Sequence, residues 1–287
     1  LNILGRGARS TIYYANKKGT NEFYAVKVVR RETSEDDRFI EQAEIEYEVT
    51  HGIQHSNLRH AYQIHREKKW FKTVALFVVM DYIDGDTLDQ VKPAGMSAQL
   101  RIFHAVAGGL AKLHDMGYIH ADIKPGNIMI GKDKSIRVID FGQCCMIGVR
   151  KDRIQGTPDF IAPEQVKKTN LDQRTDVYNL GATMYWCLTG SNYPTKLRTE
   201  ESKRDLDVSR EGGAPSPGKL NPRVPAALSR LVMDCCRRKP EDRPADMKEV
   251  QSRLYTIAAI RQKEKQADSR PNATPAAPAQ ASEQGDA

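Results

Sequence analysis

Gly5 and Gly7 flank Arg6 in the run Gly5-Arg6-Gly7-Ala8-Arg9-Ser10, and Lys27 follows in Ala25-Val26-Lys27. A residue without a side chain lets backbone N–H groups come close to an anion, so such a loop is a candidate phosphate cradle. It lies between two predicted strands rather than between a strand and a helix. That argues against a dinucleotide crossover and for a hairpin lying over nucleotide phosphates. Alone the run reads as a plain turn before it reads as a phosphate loop, with Ser10 where a third glycine would complete the pattern. Lys27 falls on the third predicted strand, where an inward ammonium needs an anion. By itself it reads as an edge-strand lysine facing water; with the hairpin it favours a lysine bridging the α- and β-phosphates. A carboxylate must hold such a lysine, and the next predicted helix offers Glu41, Glu44, Glu46 and Glu48. Further on, Asp122, Lys124 and Asn127 are closely spaced and Asp140 follows. This set suits phosphoryl transfer, which needs a carboxylate to orient an uncharged nucleophile and cations to neutralise charge.

Short β-branched and aromatic runs at 1–4, 11–15, 23–29, 61–66 and 74–80 predict the strands that carry the loop and the lysine. A helix is predicted over 37–53. After Gly95 the period changes: Ser97 is the expected N-cap, and Ile102, Val106, Leu110 and Leu113 fall at helical spacing until Gly117. Further helices are expected over 175–188, 226–238 and 246–263. A sheet-rich first third before a helix-rich remainder predicts an α+β fold of two lobes, 1–82 and 83–265, joined near 81–86. Residues 266–287, rich in Ala, Pro, Ser and Gln, have little to bury and are expected to be disordered.

With 287 residues and a hydrophobic fraction of 39%, the chain can bury a core. No apolar run approaches the ~18 residues of a membrane helix. The net charge is +7, but Lys and Arg read as scattered rather than interleaved with aromatics, so no nucleic-acid partner is expected. Five cysteines, two pairs of them adjacent, fit a reducing cytosol and predict a cytoplasmic setting without structural zinc. The chain opens on Leu1 directly into the glycine motif and is expected to be part of a longer protein.

The stretch Tyr118-Ile119-His120-Ala121-Asp122-Ile123-Lys124-Pro125-Gly126-Asn127 resembles the H-R-D-x-K-x-x-N loop of eukaryotic-type protein kinases, with Ala121 the one departure. Asp140-Phe141-Gly142, Gly156-Thr157-Pro158 and Ala162-Pro163-Glu164 follow in the family's order, and the resemblance covers about residues 1–261. It implies that Asp122 accepts the substrate hydroxyl proton, Lys124 contacts the γ-phosphate, and Asn127 and Asp140 hold Mg²⁺, with two ions expected. It selects Glu46 as the partner of Lys27, from its distance to His55-Ser56-Asn57. It further implies that Leu4, Ile12, Ala25 and Met129 sandwich the adenine of ATP. Met80 would be the gatekeeper, backbone groups of Asp81 and Ile83 would bond the purine, and Gly5, Gly7 and Ser10 would cover the phosphates. Lys124 and Thr157 point to serine or threonine acceptors on protein substrates. The style is similar to bacterial kinases of this type. Glu164 is expected to pair with Arg243, and Asp176 to tether the catalytic loop.

Ala121 stands where the family has an arginine that receives an activation-segment phosphate, and residues 143–155 contain no serine, threonine or tyrosine. Activation is therefore expected not to depend on phosphorylating this segment. Two other classes compete with a kinase. A pseudokinase scaffold would more often lack one of Lys27, Asp122, Asn127 or Asp140, and a small-molecule phosphotransferase would not need the segment from 156 to 164. Cys144 and Cys145 read as small buried hydrophobes or as a redox-sensitive pair.

Overall fold

Residues rich in β-branched and aromatic side chains build an antiparallel five-stranded sheet of β1 (Asn2–Arg6), β2 (Ser10–Asn16), β3 (Phe23–Arg30), β4 (Ala61–Lys69) and β5 (Lys72–Asp81). The strand order is β1-β2-β3-β5-β4, so β3 is central rather than an edge. The computed structural model describes residues 2–7, 9–91, 93, 95–195 and 214–268. Alternation along β3 places Ala25, Lys27 and Val29 on one face. Ala25 and Val29 share a buried cluster with Ile40 and Ala43 of α1 (Asp37–His51) and with Leu76, Val78 and Met80 of β5. The strand period thus delivers Lys27 to the face that packs on α1. Along α1, Ile40, Ala43, Glu46 and Val49 recur every third residue and are buried, whereas Glu41 and Glu48 are exposed.

The second lobe is mainly helical: α2 (Met96–Asp115), α3 (Pro163–Lys167), α4 (Gln173–Thr189), α5 (Pro217–Leu220), α6 (Ala226–Cys235) and α7 (Met247–Asp268). Ile102, Phe103, Val106, Leu110 and Leu113 of α2 form the spine of its core, together with Val177 and Leu180 of α4, Leu231 of α6 and Leu254 of α7. At Gly181 an added Cβ would lie 2.6 Å from the Cβ of Cys235, so α4 and α6 approach as closely as a missing side chain allows. Short strands hold the loops between the lobes. β6 (Gly85–Thr87), β8 (Ile128–Gly131) and β9 (Ile136–Val138) make one small sheet, and β7 (Tyr118–Ile119) pairs with β10 (Cys145–Met146). The result is the expected two-lobed α+β architecture.

Two details differ from the sequence reading. The N-cap of α2 is Gly95, not Ser97; its φ of 79° suits glycine, and the Ser97 hydroxyl instead accepts from Lys265 Nζ at 3.3 Å. α7 runs to Asp268, and the expected disordered tail beyond it lies outside the described residues. No helix among the described residues is long and apolar enough to cross a membrane.

Candidate active site

Lys27 Nζ lies 2.5 Å from Glu46 Oε2 and 3.3 Å from Asp140 Oδ1. The structure selects Glu46 from the four glutamates of α1 because only its place in the helical period is buried against β3. Glu44 instead pairs with Arg66 at 2.7 Å. Burial works against the charge on Lys27, but Glu46 and then Asp140 outweigh it and hold its pKa above the usual lysine range. Lys27 in turn holds the Asp140 carboxyl below the ordinary range against burial, with His120 and Lys124 adding to the effect. The Asp140 side chain is 50% exposed, and its backbone takes a φ of 64°.

The catalytic loop is anchored from beneath. Asp176, fully buried at the start of α4, accepts from His120 N and Ala121 N, each at 2.8 Å, and from His114 Nε2 at 2.9 Å. Burial alone would raise its pKa, but these donors win and lower it. Above this anchor, Asp122 Oδ1 accepts from the N–H and the hydroxyl of Thr157, both at 2.9 Å. Lys124 Nζ reaches Thr157 Oγ1 at 2.8 Å and Asp122 Oδ2 at 3.1 Å. Asn127 Nδ2 donates to the Asp122 carbonyl at 2.8 Å and to Oδ2 at 3.3 Å, which leaves Asn127 Oδ1 as the amide's acceptor.

A cavity of about 310 Å³ opens between the lobes and is lined by Leu4, Gly5, Ile12, Ala25, Ile83 and Met129 among the residues expected there. Met80 is buried behind it. The Asp81 N–H is taken by the His60 carbonyl at 3.0 Å, leaving only the carbonyl of Asp81 for a ligand. Gly7 and Ser10 lie outside the lining and close the β1–β2 turn, Gly7 N donating to Ser10 O at 2.8 Å. A Cβ on Gly7 would lie 2.8 Å from Ser10 Oγ, so a side chain there would have to turn the Ser10 hydroxyl aside.

Arg59 escaped the sequence reading. It lines the cavity while its side chain is buried, with Nη1 3.5 Å from Met80 Sδ and Nη2 3.1 Å from Met129 Sδ; its Nε has no partner. Burial lowers its pKa, and Glu46, Asp81 and Asp140 offset part of that shift. The only signal for it was a lone guanidinium between Leu58 and His60, just ahead of the strand predicted over 61–66.

The segment from Gln143 to Thr157 is fastened without charge pairing to an arginine at position 121. Ala121, with φ 61°, packs its methyl among Ile119, Leu171 and Cys145. Gln165 Nε2 donates to the carbonyls of Ala121 at 2.7 Å and Gln155 at 3.1 Å, and Lys151 Nζ donates to the Gln143 carbonyl. Gly148 N bonds Leu171 O at 2.7 Å, and Leu171 N returns to Val149 O at 3.0 Å. At the far end Arg243 grips Glu164 through two bonds of 2.7 and 2.8 Å, as expected. All five cysteines are free, and burial pushes the thiols of Cys144 and Cys145 up, opposite to the shift that activates a thiolate.

The pairing of Lys27 with Glu46 and of Arg243 with Glu164, and the anchoring of the catalytic loop by Asp176, follow the arrangement the family resemblance implied. Residues 1–256 match the family described as "Protein kinase domain". The chain is 25% identical over 271 residues to serine/threonine-protein kinase pkn3 of Myxococcus xanthus, covering 89% of this chain and 49% of that protein. It is 29% identical over 265 residues to serine/threonine-protein kinase PknB of Mycolicibacterium smegmatis, covering 89% of this chain and 42% of that one. A third relative, PknL of Mycobacterium tuberculosis, is 29% identical over 266 residues, which is 89% of this chain and 64% of PknL. The chain therefore spans between 42% and 64% of the length of these relatives. With residues 1–256 of 287 matched, the chain belongs to the protein kinase domain family.

Proposed function

We propose that the domain transfers the γ-phosphoryl group of ATP to serine or threonine hydroxyls of protein substrates. The observation that carries this reading is the meeting of Lys27 with Glu46 and Asp140 at one end of a cleft whose other end is an apolar slot. The residues present fit the nucleotide and its metal. Leu4, Ile12, Ala25 and Met129 offer apolar faces to a purine, and among the described residues Ile83 keeps its backbone groups free for the purine's edge. Asp140 and the Asn127 Oδ1 supply two oxygen donors, as few as Mg²⁺ needs when phosphate oxygens and water complete its shell. No group of three or more His, Cys, Asp or Glu able to hold a metal alone occurs among the described residues.

When bound, ATP with two Mg²⁺ ions supplies the activated phosphoryl group and screens its charge. Lys27, held by Glu46, would position the α- and β-phosphates. Asp122 would orient the acceptor hydroxyl and take its proton, and Lys124 would stabilise charge on the transferred group. The Lys124–Thr157–Asp122 contacts support a serine or threonine acceptor. Activation would not need a phosphate on residues 143–155: the hydrogen bonds of Gln165, Lys151 and Leu171 already hold that segment. The five free cysteines support a cytoplasmic setting.

The test pairs binding with transfer. Asp122→Asn should keep the melting shift given by Mg-ATP while transfer of labelled phosphate to serine or threonine falls by roughly 10²–10⁴-fold. Unchanged transfer in that variant, or label appearing on tyrosine alone, would refute the assignment.

A further inference from the structure

The β4–β5 hairpin turns on two residues, Trp70 and Phe71, between the paired Lys69 and Lys72. Trp70 is 88% exposed and Phe71 98%, and neither ring stacks on another among the described residues. Tight hairpin turns favour Gly or Asn at positive φ, yet Trp70 holds that conformation with φ 58°. A bulky aromatic is thus kept in a strained turn and presented to solvent, with nothing in the domain gaining from its packing. Around it stand Lys68, Lys69 and Lys72, none in an ion pair among the described residues, with Glu67 the single carboxylate from 65 to 72. The expectation of scattered cations overlooked this run, because its significance lies in the turn that brings it to a tip.

We propose that this tip is a wedge for the surface of an anionic lipid bilayer. Aromatic rings settle at the headgroup level of membranes, and lysines flanking them meet lipid phosphates and carboxylates. A hairpin tip is convex, so it penetrates a soft interface; stacking of single-stranded bases calls for a groove that tracks a backbone. β5 runs from Lys72 at the tip to Asp81 beside the cleft, and ten residues at ~3.3 Å each separate the two by about 30 Å. Docking through the tip therefore leaves the cleft open.

Trp70 reports directly on the proposal, since the chain has two tryptophans and Trp186 is half-buried. The full chain is mixed with vesicles of equal parts phosphatidylserine and phosphatidylcholine, or phosphatidylcholine alone. Sedimentation with the anionic vesicles and a blue shift of Trp emission are expected, both weakened by salt. Trp70→Ser with Phe71→Ser should reduce binding at least about tenfold through the apolar area returned to water. Each of Lys68→Gln, Lys69→Gln and Lys72→Gln should reduce it roughly fivefold. Turnover of a soluble peptide by the Trp70→Ser/Phe71→Ser variant should match that of the parent. Failure of the parent chain to bind anionic vesicles overturns the proposal, as does binding that survives the double change. Preference of Trp70 for an oligothymidylate strand, or for a second copy of the chain, would equally overturn it.

Discussion

A guanidinium held by two sulfurs, as at Arg59, recovers little of the solvation it gives up, because thioethers are weak acceptors. Arg59→Leu is expected to raise the melting temperature by about 2–4 °C, the shift that roughly 1 kcal/mol makes in a domain of this size. A fall would mean that attraction to Glu46, Asp81 and Asp140 outweighs the cost of burying the guanidinium. Asp176 gives the opposite case, a buried charge with every donor in place. Its folded pKa is lowered, so its contribution is complete above the unfolded value of about 3.9 and is lost as pH falls through the lower folded value. Asp176→Asn should cost about 1–3 kcal/mol at neutral pH and flatten the acid limb of stability measured by urea denaturation against pH. Of the residues brought together in the site, Lys27, Asp122, Asn127 and Asp140 were legible in the sequence, since they sit in motifs. Arg59 was not, because burial of a cation is decided by which strands meet above it.

Periodicity made the elements legible and left their edges obscure. α1 shows this: composition alone left four glutamates alike, the distance to His55-Ser56-Asn57 selected Glu46, and the third-residue spacing of Ile40, Ala43 and Glu46 is what buries it. The start of α2 was misplaced because Ser97 has the chemistry of a cap, while the backbone reversal needed the conformational freedom of Gly95. Close contacts between elements make sharper predictions than their boundaries. Glu164→Ala strands Arg243, whose side chain is fully buried, and should destabilise the domain by about 3–5 kcal/mol in denaturant titrations. Gly181→Ala must push α4 off α6 and should cost about 1–3 kcal/mol. Ala121→Arg places a long cation among Ile119, Leu171 and Cys145, with a similar loss of about 1–3 kcal/mol and no gain in turnover.

At the scale of the molecule, a nucleotide-sized slot opens between the two lobes, and a ligand there should stabilise the whole. With Mg-ATP at a hundred times its Kd, the gain is about 2.7 kcal/mol. Asp140→Asn should forfeit most of that gain in calorimetric scans, while ATP without metal should protect parent and variant alike. Composition forecast the two lobes, since a sheet-rich third precedes helices; it could not forecast the wedge at the β4–β5 turn, whose meaning is a matter of exposure. The stretch between Gln143 and Gln155, pinned by Gln165 and by the Leu171 backbone, contains no hydroxyl to esterify. A phosphatase has nothing to remove there, so this domain cannot be switched off by hydrolysis at that place.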